Sequence, residues 1–481
     1  MKMSVVGFLR QEYRFDLSTL SRKQNGSIIA EEDLPPIAEY FVDDRQIASS
    51  FGHTIEPLLA DWIDVAVAVY FADRLAVRRG ESLPRNQYQW GRRIHLKISV
   101  RELQIWQRQD VSDLLHRLLY FITEDDWQIE FIKRQGNKRQ SEKVVQGQLF
   151  PIVSSYKPIR VALYSGGLDS FAGAAQQMSD HRDHQFILVS GVTNSRQQAG
   201  QRRQLAAISQ VIGSSPIHIT VPYRRHWQST KRAEEWSQRA RGFLFLTLGS
   251  TTALAAETQE LYVYENGIGA INLPINGTQV GIFNSRGVNP ITLIRMAEFV
   301  RILTGKAFTI HNPFLLNTKG EMCSHKTVKS LAEYIPETFT CDGFPVHAKG
   351  RPQCGTCTSC ILRRASIVGA GLSKFDPGSG YLVDLLSNTI RIREHQQQNL
   401  RAMDWQVRRF RQRLKSTNSW TAFIHDFPEL RKVEETIISQ TEEDRKVLQT
   451  ALLRLYAQYI SEWDDFSSRC YLLNSGNKRV A

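Results

Sequence analysis

The 481-residue chain is poor in cysteine, with six, and shows neither an internal repeat nor a low-complexity tract. A chain this long buries enough apolar surface to fold without covalent staples, so a disulfide frame is not called for. Long apolar runs are missing too. The longest mostly apolar window, Phe243 to Ala256, contains Thr, Gly and Ser and falls short of the ~20 residues that span a bilayer, so no membrane segment is expected. Met1 to Arg14 lacks the ~7–15-residue apolar core of a secretory signal, and a cytoplasmic location is expected. Acidic residues are in deficit: 48 Asp and Glu against 61 Lys and Arg leave a net charge of +13. Such a balance suits an anionic partner, but the basic residues are scattered, the densest cluster being Arg401 to Lys415 on a helical stretch. A solvated basic surface is therefore favoured over a nucleic-acid-binding arm.

What is present is the composition of a globular protein, 42% hydrophobic and 23% charged. The length predicts about three domains. Residues 1–150 read as an N-terminal α+β accessory domain, with helical periodicity over Ile55 to Leu75 and Val111 to Phe121 and strands over Arg93 to Val100 and Trp127 to Ile132. The polar run Lys133 to Lys143, with Gly136 and Asn137, reads as a closing loop or linker. Over 155–375, short apolar runs at Ile159–Leu163, Phe186–Ser190, Ile217–Val221 and Leu261–Tyr264 alternate with helical segments. That alternation predicts an α/β, doubly wound parallel sheet. Beyond the loop Asp376 to Gly380, residues 381–481 read as a helical C-terminal extension, with candidate helices at Thr389–Leu414, Leu430–Ser439 and Glu442–Trp463.

The first α/β strand runs into Tyr164-Ser165-Gly166-Gly167-Leu168-Asp169-Ser170 and then the small residues Phe171 to Ala175. A strand feeding a glycine turn into a helix aims backbone N–H groups and the positive helix end at one point, which suits a phosphate. The serine hydroxyls can donate further hydrogen bonds and Asp169 can hold Mg²⁺. No Gly-Lys-Ser/Thr follows, so this is not a Walker loop. The plain alternative is a Gly-Gly turn with a Ser or Asp cap.

Four of the six cysteines, Cys341, Cys354, Cys357 and Cys360, fall within twenty residues. Four thiolates at this spacing can close a tetrahedral Zn²⁺ site, with His347 as a minor alternative ligand; free or redox-active thiols are the other reading. Cys323 and Cys470 read as packed residues.

Ser-Gly-Gly-Leu-Asp-Ser resembles the PP-loop of the ATP pyrophosphatase superfamily. With Cys341 about 170 residues later and Cys354-Gly355-Thr356-Cys357-Thr358-Ser359-Cys360-Ile361-Leu362-Arg363 after it, and His311-Asn312-Pro313-Phe314 with Thr318, Lys319 and Glu321 between, residues 159 to 375 resemble the 7-cyano-7-deazaguanine synthase (QueC) family. The flanking domains make the whole most similar to the enlarged QueC-like proteins of antiphage defence operons, the QatC type. The resemblance implies a PP-loop, HUP-like fold with a zinc-binding insert. It also implies ATP contacts at Leu163, Tyr164, Ser165, Gly166, Gly167, Leu168, Asp169 and Ser170, adenine contacts at Val189 and Ser190, and a further contact at Gly267. Asp169, Ser170, Lys319 and Arg241 become the catalytic candidates, Lys319 and Arg241 to offset phosphate charge. A surface lysine ahead of a helix and a solvated arginine are the alternatives for those two.

Three departures stand against the family pattern. The interval after Cys341 is long, large domains flank the core, and Phe283-Asn284-Ser285-Arg286 lacks the carboxylate of the corresponding synthase stretch. The implied activity is ATP-dependent adenylation of 7-carboxy-7-deazaguanine or a similar acid, with ATP, Mg²⁺ and Zn²⁺ as cofactors. The acyl group then passes to an amine, of ammonia or of a protein partner from the same operon. A tRNA-modifying PP-loop enzyme and a non-catalytic nucleotide-binding scaffold are the competing expectations.

Overall fold

The computed structural model describes residues 11–17, 26–30, 38–78, 91–135, 138–143, 157–227, 234–235, 237–275, 286–343, 353–388, 394–441 and 444–475. Gly136, Asn137, Phe283, Asn284, Ser285 and His347 lie outside the described residues.

Ten described strands are β1 (Glu12–Leu17), β2 (Gly26–Ala30), β3 (Ala38–Val42), β4 (Arg93–Val100), β5 (Asp126–Lys133), β6 (Ile159–Leu163), β7 (Gln185–Val192), β8 (Ile217–Trp227), β9 (Glu260–Tyr262) and β10 (Thr309–His311). They join in one mixed sheet in the order β10-β9-β6-β7-β8-β3-β2-β1-β4-β5. From β10 to β8 every pairing is parallel. The eleven-residue β8 outruns its neighbour β7, and its free length, Tyr223 to Trp227, pairs antiparallel with β3. Strands of the N-terminal segment thereby extend the α/β sheet instead of forming one of their own.

The parallel half is covered on both faces, as crossover connections require. Val161, Ile187, Val189, Ile219 and Leu261 pack with the helices Arg241–Ala255 and Pro290–Thr304. The alternate residues Ala162, Phe186 and Leu188 pack with the helices Leu168–Asp180 and Ser195–Ile212. The N-terminal helix Pro57–Leu75, buried nearly all round, joins the first of these cores. No described helix is long and apolar enough to cross a membrane.

The order of strands decides where a ligand can sit. From β6 the chain moves outward through β7 and β8, then returns to the other side of β6 to lay down β9 and β10. Loops leaving the C-terminal ends of β6 and β9 therefore diverge over a crevice, the topological switch point of an open α/β sheet.

C-terminal helices Glu394–Leu414, Ser419–Asp426, Glu429–Ile438 and Arg445–Arg469 build a second core around Phe410, Phe423, Phe427, Tyr456 and Trp463, which Ile361, Ala365 and Val368 of the helix Thr358–Gly369 and Ile271 and Ile291 also join. The Phe410 and Tyr456 rings lie 4.8 Å apart.

The N-terminal segment buries charge. Arg92, fully buried, bonds Asp73 at 2.6 Å and Asp125 at 2.5 Å, both also fully buried. Removing the guanidinium leaves two carboxylates without their shared cation. Arg92→Leu should cost about 3–5 kcal/mol in urea unfolding, whereas an exposed arginine such as Arg408 should cost under about 1 kcal/mol when replaced.

Candidate functional site

The loop after β6 lies at this switch point. Gly166 turns the chain with φ +79°, a left-handed conformation that costs glycine nothing, and a Cβ there would meet Gln201 Cγ at 2.9 Å. Gly167 then caps the helix Leu168–Asp180. The two serines stabilise the turn itself. Ser165 Oγ accepts from Gly167 N at 3.1 Å, and Ser170 Oγ accepts from Gly166 N at 3.1 Å while donating to Gly167 O at 3.0 Å. Ser170 is thus committed to the loop, whereas Ser165 is exposed.

Buried amides support the turn from behind. Gln201 Nε2 donates to Ser165 O at 3.0 Å, and Gln204 Nε2 donates to Gly166 O at 3.2 Å and to Glu337 O at 2.9 Å. Tyr164 Oη donates to Gln204 Oε1 at 2.6 Å, and Phe339 N donates to Gly166 O at 3.1 Å. With the carbonyls engaged, the first-turn N–H groups of Leu168, Asp169 and Ser170 remain. Helical geometry gives them no acceptor, and they form the positive end of the helix.

Three segments meet at Asp169, which is 8% exposed. Its Oδ2 pairs with Lys319 Nζ at 2.7 Å, and its Oδ1 accepts from Asn266 Nδ2 at 2.9 Å. Asn266 follows β9, and its Nδ2 also donates to Glu265 Oε1 at 2.9 Å while its Oδ1 caps the helix Gly267–Ile271 through Gly269 N. After β10, Asn312 Nδ2 donates to Glu265 O at 2.9 Å. Burial pushes the Glu265 carboxyl well above the ordinary carboxylate range, helped by the Asp169 charge and opposed by Lys319. Burial works against the Lys319 ammonium, but Asp169 and then Glu265 outweigh it and hold its pKa above the ordinary lysine value. Because both Asp169 oxygens are engaged, Mg²⁺ is offered no ready carboxylate there. An ion accompanying nucleotide phosphates takes most of its ligands from phosphate and water.

Lys319 opens the helix Lys319–Ser324, whose N-cap Thr318 and Glu321 form a reciprocal capping box. Thr318 Oγ1 donates to Glu462 Oε1 of the C-terminal helix Arg445–Arg469. Glu462 is 2% exposed and fills space left by Gly320 and Gly369, where a Cβ would lie 2.4 Å from Glu462 Cδ and 2.7 Å from its Cγ. Burial raises this carboxyl to about 7, with Thr318, Gln458 and Ser366 opposing and Glu321 adding to the rise.

The remaining expected residues stand further from Asp169. Leu163 ends β6 against Gly249, and Val189 is a buried β7 residue whose carbonyl accepts from Tyr164 N at 2.8 Å. Ser190 Oγ donates to Tyr164 O and lies 2.8 Å from His218 Nε2, so that hydroxyl is also committed. Gly267 is packed against Leu315, whose carbonyl would lie 2.0 Å from a Cβ, and its neighbours Glu265 and Asn266 face Asp169 in its place. Arg241 is exposed at the head of its helix, its guanidinium 5.8 Å from the Phe245 ring, and no described contact joins it to the loop.

Cys341, Cys354, Cys357 and Cys360 come together with all four sulfurs within 4.8 Å of one another, and Cys354 and Cys360 are 3.9 Å apart. A tetrahedral site with ~2.3 Å Zn–S bonds places its sulfurs about 3.8 Å apart, so the donor set fits zinc in number, softness and spacing. Backbone N–H groups already point at sulfur: Thr356 N and Cys357 N to Cys354 at 3.4 and 3.2 Å, and Cys360 N to Cys357 at 3.4 Å. Gly355 makes the knuckle possible, with φ +83° and Val383 O only 1.9 Å from where a Cβ would stand. Cys323 and Cys470 are buried elsewhere.

No family model matches the chain, and no curated protein matches it either. Residues missed in the sequence are Glu265, Asn266, Gln201, Gln204 and Glu462. The hints for them are the expected contact at Gly267, beside Glu265 and Asn266, and the i, i+3 pair of glutamines on one helix face.

Purified chain should carry one zinc, lost by at least about tenfold in affinity in Cys357→Ser, as metal analysis during chelator titration would show. Glu462, with its carboxyl raised, stabilises the fold at low pH, and that contribution is lost as pH rises from about 4.5 towards about 7. Glu462→Gln should remove roughly 2 kcal/mol of this pH dependence, measured by urea unfolding at pH 5 and pH 8.

Proposed function

We propose that the chain is a QueC-like PP-loop enzyme that adenylates a carboxylic acid with ATP and transfers the acyl group to an amine. The supporting observation is one place: the glycine turn at the switch point, with free first-turn N–H groups, beside a buried lysine that keeps its charge. The acid, 7-carboxy-7-deazaguanine, is taken from the resemblance of the motifs.

In this reading the N–H groups of Leu168, Asp169 and Ser170 hold the departing pyrophosphate end of ATP. A substrate carboxylate oxygen attacks the α-phosphorus, the bond to the β-phosphate oxygen breaks, and pyrophosphate leaves. Lys319 offsets the charge that develops there, and Asn266 and Asp169 keep its ammonium in place. Arg241, unpaired among the described residues, is a second cation at the rim of the sheet. Mg²⁺, when bound, shares in neutralising the phosphates. The amine then attacks the acyl carbon, AMP leaves, and the amine gives up a proton. A protein amine is favoured over ammonia as acceptor because of the large flanking segments.

A tRNA substrate is disfavoured by two observations. The C-terminal arginines are largely matched, Arg409 and Arg413 by Asp426 and Arg408 by Asp404, and the clustered thiols form a closed set instead of an exposed pair.

Zinc-loaded protein given ATP, Mg²⁺, the deazaguanine acid and either ammonia or candidate protein partners should release pyrophosphate and yield an acylated amine by mass spectrometry. Lys319→Met and Asp169→Asn should each lower pyrophosphate release by about a hundredfold or more, and Arg241→Ala by less. Absence of pyrophosphate with every acceptor would leave a nucleotide-binding scaffold; a cyano product from ammonia alone would make it a synthase of the housekeeping type.

A further inference from the structure

The helix Leu168–Asp180 has a second polar end. At its C-terminus the last carbonyls lack intrahelical donors and form the negative pole, where a cation is favoured. His181 is the cap there, and the turn closes with His184 N donating to His181 O at 3.1 Å. This turn brings two imidazoles and one carboxylate together. The rings of His181 and His184 lie 5.6 Å apart at 74°, His184 Nδ1 is 3.0 Å from Asp183 Oδ1, and one donor atom from each residue falls within 4.8 Å of the others. Among the described residues this is the one group besides the four cysteines with such a disposition.

From this geometry we propose that His181, Asp183 and His184 form a second metal site, for a borderline divalent cation such as Zn²⁺ or Ni²⁺. Two neutral imidazoles and one carboxylate are nitrogen-rich and hard enough to exclude the thiolate-seeking monovalent ions, while Ca²⁺ and Mg²⁺ want oxygen. Arg160 opposes a cation, but its guanidinium is turned towards Gln177 Oε1 at 3.0 Å and the Tyr262 ring at 4.5 Å. Asp180, 3.6 Å from His325 Nε2, adds negative charge nearby. Three protein donors do not fill a tetrahedral shell, so a water or an outside ligand completes it. His184 directly precedes β7, so the ion would tie the end of this helix to the start of that strand. The proposal is independent of the adenylation reading.

Calorimetric titration of untagged full-length protein, its four-cysteine site already filled with zinc, tests it. A second equivalent of Zn²⁺ is expected, and with Ni²⁺ the X-ray absorption spectrum should show imidazole scattering without sulfur. His181→Ala and His184→Ala should each weaken that equivalent by about tenfold or more, and Asp183→Asn by less, while the zinc of the cysteine site stays bound as the control for folding. No metal bound beyond the zinc of the cysteine site, sulfur in the nickel shell, or unchanged affinity in the double histidine variant would overturn the assignment.

Discussion

The contact on which the candidate site depends is the buried pair of Asp169 and Lys319. A lysine that is 4% exposed and a carboxylate that is 8% exposed tolerate burial because each satisfies the other, with Asn266 taking the second oxygen. The pair does more than cancel charge. Asp169 belongs to the loop after β6, Asn266 to the loop after β9, and Lys319 to the segment after β10, so one small polar cluster fixes three chain segments over the crevice where the strand order reverses. Break it, and the turn keeps its shape, since Ser165, Ser170 and the two glutamines hold that, but it loses its register with the far side of the crevice.

How far this was readable follows from sequence separation. The strand Arg93–Val100 alternates buried and half-buried residues along most of its length, and its bounds in the structure are those read from the pattern. Ile159–Leu163 is likewise a short apolar run before a glycine turn. Local chemistry also carried the four cysteines, whose x2 spacing brings three of them into one knuckle. The strands β1, β2 and β3 were not legible: they are five or six residues long, and their place is set by pairing with β8 and β4, not by periodicity of their own. Likewise, nothing near residue 266 announces a partner at 169. Asn266 reads locally as a helix cap, which it also is, and its second role exists only once β9 lies beside β6.

The C-terminal helices illustrate the same limit from the other side. Composition reads them as a charged helical extension, and their core of Phe410, Phe423, Tyr456 and Trp463 is shared with Ile361, Ala365 and Val368 of the helix Thr358–Gly369. Yet Glu462 leaves that core to meet the cap of the helix that carries Lys319. A buried carboxyl is costly, and the glycines at 320 and 369 are small where it lies, so the two helix ends and the long helix are shaped to one another. Gly320 and Gly369 therefore answer a demand for space, since neither has the positive φ that would require glycine for conformation.

Zinc fits into the same logic. The stretch from Ile335 to Cys341 lies across the back of the glycine turn after β6, where Phe339 N donates to Gly166 O and the Phe339 ring covers Gly200, with a Cβ there only 2.7 Å from it. Regular secondary structure does not hold this stretch beyond the short turn Ala332–Glu337. What holds it is side-chain chemistry at its end. Arg363, buried on the knuckle helix Thr358–Gly369, donates to Thr338 Oγ1 at 2.5 Å and to Ile335 O at 2.8 Å, Gln353 Nε2 donates to Thr338 O at 3.0 Å, and Cys341 joins the thiol cluster two residues after Phe339. A metal closing that cluster fixes Cys341 relative to Arg363, and through Thr338 and Phe339 fixes the backing of Gly166. A metal held by all four thiolates would act as a staple for the turn rather than as a place for chemistry, because a tetrahedral shell completed by protein sulfur leaves no position for a substrate.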